Sequence, residues 1–98
     1  MSTLIVLRRV AREEFDDAAD WYEARQPGLG SQFVAAVQVV FDRISANPRL
    51  HAVVRRDIRK AVVVGFPYSV YYREQQRRVV VVAVFHSSRD PAIWQGRN

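Results

Sequence analysis

The order of apolar and polar positions changes period partway along the chain. Residues 3–8, TLIVLR, form a short, branched, apolar run that reads as a strand. Its unbroken apolar character predicts an interior place in a sheet. From 11 to 25 the period becomes helical, with Phe15, Ala18, Ala19 and Tyr22 on one face and Trp21 beside the stripe. Glu13, Glu14, Asp16 and Asp17 crowd the predicted first turns, where the helix dipole favours negative charge. Pro27-Gly28 breaks the pattern. A second helix is predicted from about Leu29 to Ala46, burying Phe33, Val37, Val40, Phe41 and Ile44 and stopping at Asn47-Pro48. The short join makes the two helices a hairpin.

After His51 the pattern turns to strands. Segment 52–56 suits an edge strand, and 58–65, 68–73 and 77–85 are further strands. The last, RRVVVVAVF, is apolar on both alternating faces, so both are expected to be at least partly covered. Gly65-Phe66-Pro67 separates two strands, and Glu74-Gln75-Gln76 is a tight polar connection. Asp90 and Pro91 suit the cap and first position of a short closing helix over 90–96. The expected fold class is α+β. An N-terminal strand and a two-helix hairpin precede a three-stranded antiparallel meander, with the helices on one face of a single twisted sheet. The other face is expected to be open and to carry the arginines of the second half.

At 98 residues the chain suits one domain, 1–98, and 49% hydrophobic residues suffice for a core. With no cysteine there is neither a disulfide nor a thiolate metal site, which fits a reducing cytoplasm. The leading apolar run is too short to span a membrane. Neither a glycine-rich phosphate loop nor a set of metal-ligand spacing occurs, so no cofactor and no metal are expected.

Charge alters the picture. The formal net charge is +5, with residues 1–49 at −1 and residues 50–98 at +6. All the basic residues except Lys60 are arginine, the side chain suited to bidentate phosphate or carboxylate pairing. Such a balance implies an acidic partner: nucleic acid, a ribosomal surface or an acidic protein. Arg55, Arg56, Arg59 and Lys60 alternate between faces if extended, although a turn near Asp57 would regroup them. With Arg73, Arg77 and Arg78 they form a candidate phosphate-contacting patch. Tyr68, Tyr71 and Tyr72 lie near it in sequence and are candidates for stacking on bases, or for ordinary packing with one hydrogen bond each. His86 is suited to acid–base work near neutral pH, and Arg89 to stabilising developing phosphate charge. A structural histidine at a strand end is the plainer reading. His51 reads as a surface or capping residue. Trp94 is either buried against the sheet or exposed for a partner, and Arg97 is expected to order only through contact.

FPYSVYYR followed by VVVVAVFHSSRDPAIW resembles the RelE/ParE family of toxin–antitoxin toxins. The leading strand, the helix bearing FDDAADWYE and the helix ending in NP extend the resemblance over most of the chain. It implies a small cytoplasmic, growth-inhibiting toxin held inactive by a cognate antitoxin, with operator DNA bound indirectly through that antitoxin. RelE-like members cleave messenger RNA on the ribosome, whereas ParE-like members poison DNA gyrase.

The RelE-like pattern has an arginine where Tyr68 stands here, which removes an expected phosphate-stabilising cation. His86 and Arg89 answer for part of the ribonuclease set, and Arg59 or Arg73 are candidates for the missing charge. Trp94 stands roughly where some members have a tyrosine, but it has no ionisable hydroxyl. Tyr68, Tyr71, Arg73 and His86 match the ParE-like pattern of a tyrosine-rich strand, a following arginine and a closing histidine. The resemblance therefore implies a gyrase inhibitor first and a ribosome-dependent endonuclease, or a nontoxic antitoxin-binding module, second. Arg55, Arg56, Lys60, Tyr68, Tyr71, Arg77, Arg78, Trp94 and Arg97 are the candidate partner or nucleic-acid contacts.

Overall fold

The computed structural model describes residues 3–97. The chain runs β1 (Leu4–Leu7), α1 (Arg9–Arg25), α2 (Leu29–Ala46), β2 (Val53–Arg55), β3 (Ile58–Val62), β4 (Tyr68–Gln75), β5 (Arg78–His86) and α3 (Ala92–Gln95). The five strands form one mixed sheet in the order β1-β5-β4-β3-β2. From β2 to β5 the chain is an antiparallel meander, whereas β1 pairs parallel to β5. No described helix is long and apolar enough to cross a membrane.

The helical hairpin covers one face. Ala11, Ala18, Phe33, Val37, Val40, Phe41 and Ile44 pack on Ala61, Val63, Val70, Tyr72, Val79, Val81 and Val84. Phe33 is fully buried and lies 5.1–6.0 Å from Phe15, Tyr22, Phe66 and Tyr68 by ring centroids in tilted or edge-on contacts, the arrangement ring quadrupoles favour. At the hairpin bend Gly30 lets the helices close up, since a Cβ there would stand 2.6 Å from the Ala19 carbonyl oxygen. Glu23 of α1 reaches across the bend. Its carboxylate accepts the Gly28 N–H at 2.9 Å and the Gly30 N–H at 3.0 Å, placing negative charge on the N-terminus of α2, which has no side-chain cap of its own.

Several details depart from the sequence expectations. β1 is an edge strand, not an interior one: Leu4 is 68% exposed, and β5 is its sole strand partner. α1 begins two residues early, at Arg9, so its acids fall beyond the first turn. β3 ends at Val62, short of the predicted 65. β4 runs on to Gln75, and the β4–β5 turn is Gln76-Arg77, both in left-handed backbone. The second face is not open. Ile58, Tyr71, Val80, Val82, Ala83 and Phe85 form a second core beneath Trp94 of α3.

A bulge accounts for the long apolar run of β5. Tyr71 pairs with Ala83 but Tyr72 pairs with Val81, which leaves Val82 as an extra residue. Val79, Val81 and Val84 therefore face the helices, and Val80, Val82, Ala83 and Phe85 face α3. The tail closes in a helix, as predicted, but a shorter one, Ala92–Gln95, with Pro91 at its N-cap and not at its first position; the Asp90 carboxylate still accepts the Ala92 N–H at 3.0 Å.

Candidate functional site: a cleft beyond the end of β1

β1 ends at Leu7, opposite Val81, so the last residues of β5 have no strand on that side. Backbone groups left there need other partners. Glu14 of α1 and Arg97 of the tail provide them. Glu14 Oε1 accepts the Val84 N–H at 3.2 Å, and Arg97 Nη1 donates to the Val82 carbonyl at 3.1 Å. The two side chains join in a bidentate pair, Nη1 to Oε1 at 2.9 Å and Nη2 to Oε2 at 3.1 Å. Arg89 Nη1 adds a bond to Glu14 Oε2 at 3.1 Å, with its guanidinium 4.3 Å from the centre of the Phe85 ring. Arg97 is thus fixed within the chain and not frayed, contrary to the sequence expectation.

Beside this cluster opens a cleft of about 490 Å³. One wall is α1, with Asp17, Trp21 and Tyr22; the other is the start of β4 and the end of β5, with Tyr68, His86 and Arg89. Trp21 is 53% exposed and carries Arg25 over its ring at 4.3 Å. Tyr68 and His86 are paired across the strands, their rings edge-on at 5.1 Å. Burial pushes the Tyr68 hydroxyl above its ordinary pKa of 10, Tyr22 adds to this, and Arg89 opposes it. Burial likewise raises the Tyr22 hydroxyl. Nδ1 of His86 accepts the Ser88 N–H at 3.0 Å, which assigns the proton of the neutral ring to Nε2. Ser88 Oγ stands 2.8 Å from the same nitrogen.

The candidate catalytic residues fall into two separate groups. His86 and Arg89 share the cleft. Arg73 lies on β4 five residues beyond Tyr68, the partner of His86, which places it about 16 Å away along the strand. Its Nε is buried, 3.6 Å from Asp57 Oδ1. Arg59, opposite Tyr72, donates through Nη1 to the carbonyls of His51 at 2.6 Å and Arg49 at 3.3 Å. Neither cation reaches the cleft to replace a charge missing at Tyr68.

The other candidates divide by exposure. Arg55, Arg56, Lys60, Arg77 and Arg78 are exposed around the two hairpin turns at the far end of the sheet. Tyr71 and Trp94 are buried, stacked on each other at 4.1 Å, so neither offers its ring to a partner in this structure. Tyr72 is fully buried and donates its hydroxyl hydrogen to the Pro48 carbonyl at 2.7 Å. His51 is half-buried, and its Nδ1 lies 3.2 Å from the Tyr72 oxygen. Because that hydroxyl hydrogen is committed, His51 Nδ1 is the donor.

Sequence reasoning missed Glu14, Asp17, Trp21 and Tyr22 as a cleft wall. A signal was present for Glu14, which lies three residues after Ala11 and four before Ala18, both buried.

A helical hairpin laid over one face of a mixed five-stranded sheet, with a short helix under the opposite face, defines a small α+β domain. The fold resembles a solved chain of a chromosomal ParDE toxin–antitoxin system from P. aeruginosa, with a TM-score of 0.64 at 13% sequence identity, covering 87% of this chain and 96% of that one. The model of the family described as the ParE toxin of the type II toxin–antitoxin system, parDE, matches residues 5–91, and the chain belongs to that family. No curated protein matches the chain.

Proposed function

We propose that this protein is the toxin of a toxin–antitoxin pair, neutralised by a cognate antitoxin, and that it inhibits DNA gyrase through protein–protein contact. Supporting the target is the dispersal of the candidate ribonuclease residues. Phosphodiester cleavage by the neighbouring 2′-hydroxyl needs a proton acceptor and cations gathered at one phosphate. Here Arg89 is bound to Glu14 at 3.1 Å, while Arg59 and Arg73 are engaged at the far end of the sheet. The cleft instead combines an exposed tryptophan with tyrosines and one arginine, the residue types that dominate protein-interface energetics. In this reading the protein acts in the cytoplasm, and the antitoxin carries the sequence-specific recognition of operator DNA.

The alternative, a ribosome-dependent messenger RNA endonuclease, draws on Tyr68, His86 and Arg89 sharing one cleft. Induced expression separates the two. Under the gyrase reading, plasmid DNA relaxes before translation stops, and co-expression of the antitoxin restores growth. Site-specific cleavage of messenger RNA that is lost in His86→Gln, with supercoiling intact, would replace it with the endonuclease reading.

A further inference from the structure

Strand registers bring two hairpin turns to the same end of the sheet. Arg59 pairs with Tyr72, so β3 begins where β4 is ending, and Arg73 reaches Asp57 at 3.6 Å. The β2–β3 turn holds Arg56 with Arg55 at the end of β2, and the β4–β5 turn holds Arg77 with Arg78 at the start of β5, with Lys60 close by on β3. Two strand spacings separate the turns, about 10 Å. All five side chains belong to exposed residues, and among the described residues none forms an ion pair. The nearest acids are already engaged, Asp57 with Arg73 and Glu74 with Arg49 at 2.9 Å. Exposed acids concentrate on α1, at Glu13, Asp16, Asp17, Asp20 and Glu23. The molecule is therefore electrically polar, with its positive end remote from the cleft.

The backbone adds an independent observation. Among the described residues, only Arg56, Gln76 and Arg77 adopt positive φ without being glycine, at 53°, 52° and 63°. Hairpin turns of this kind favour glycine or asparagine. Two arginines thus occupy positions where glycine would relieve backbone strain, and strain of this kind points to a use for the side chain.

We propose that this end of the sheet is a binding surface for the phosphate backbone of duplex DNA. An acidic protein partner fits less well, because affinity between proteins depends on anchors seated in pockets. None of the five cations lines the cleft beyond β1 or the two further clefts against the helices. A single strand fits less well, because its recognition relies on stacking, and Tyr71, Tyr72 and Trp94 are buried. Duplex RNA is read partly through 2′-hydroxyl contacts, for which the exposed Gln75 and Gln76 amides are the uncharged polar groups at these turns, so duplex RNA is one arm of the test. Spread positive charge is what a duplex needs, since it carries one negative charge per about 1.7 Å of axis.

The test is the affinity of the full chain for a random-sequence DNA duplex, measured by fluorescence anisotropy against salt concentration. The expected log–log slope lies between about −3 and −4.5, each cation contributing roughly −0.9. The double variant Arg56→Gly/Arg77→Gly removes two cations and the strain together. It should melt no lower than the parent, while the slope loses about 2 of its magnitude. The charge-matched Arg9→Ser/Arg12→Ser variant should keep the parent slope. The proposal is overturned by absence of binding at about 50 mM salt, by an unchanged slope in the glycine variant, by an equal loss in the α1 variant, or by tighter binding to single-stranded DNA or duplex RNA. No gyrase is present in this measurement, so its failure leaves the proposed target untouched.

Discussion

Glu14 and Arg97 lie 83 residues apart in sequence and meet in a bidentate ion pair, each also bonded to the backbone of β5. Together they take over the edge that β1 abandons after Leu7. The pair links α1, the last strand and the tail, and its side chains are only 11% and 18% exposed. Removing one partner from such a pair leaves a charge with little water to solvate it.

Arg97→Ala should therefore cost about 2 kcal/mol, below the range for a fully buried pair because Arg89 still pairs with Glu14 at 3.1 Å and some solvent remains. Arg12→Ala serves as the comparison. Its pair with Asp16 is 63% and 57% exposed, and such pairs contribute about 0–1 kcal/mol. Urea titration reads both as shifts in midpoint at constant slope. Equal shifts would mean that the Glu14 cluster holds nothing together.

The helical bend gives a second prediction. Gly30→Ala improves helix propensity by about 1 kcal/mol, but the new Cβ would meet the Ala19 carbonyl oxygen at 2.6 Å. That obstacle is backbone and cannot rotate away, so steric cost should exceed propensity and the net loss should be about 1–2 kcal/mol. Glu23→Ala, which removes the carboxylate from the Gly28 and Gly30 N–H groups, should cost about 1 kcal/mol. Thermal or urea unfolding of the two variants decides both values, and a stabilised Gly30→Ala protein would refute the close helix approach.

His51 gives a pH prediction. Burial lowers its pKa below the ordinary 6.5, and Arg43 and Arg59 push the same way. The folded state thus favours neutral imidazole. Its contribution to stability is complete above pH 6.5 and is lost as the pH falls through the lower folded value. His51→Gln should flatten the stability profile in that acidic window, measured by urea unfolding between about pH 5 and pH 8. A profile identical to the parent would show that protonating this ring costs the fold nothing.

Both helices were legible because Phe33, Val37, Val40, Phe41 and Ile44 repeat at helical spacing whatever they pack against. The place of β1 was not legible. Leu4 and Val6 are apolar yet exposed, and no local pattern tells an edge from an interior position when the partner strand lies some seventy residues away. The apolar run of β5 announced two covered faces, but its bulge depends on cross-strand register. In the cleft, Tyr68, His86 and Arg89 stood out by residue type. Glu14 was masked by the acids around it, and Arg97 by its place near the chain end.

The gyrase target is tested most directly by supercoiling with purified gyrase and relaxed plasmid. Full inhibition should appear as the toxin approaches the enzyme concentration, and adding the cognate antitoxin should reverse it. Undiminished supercoiling under a large excess of folded toxin would contradict the account.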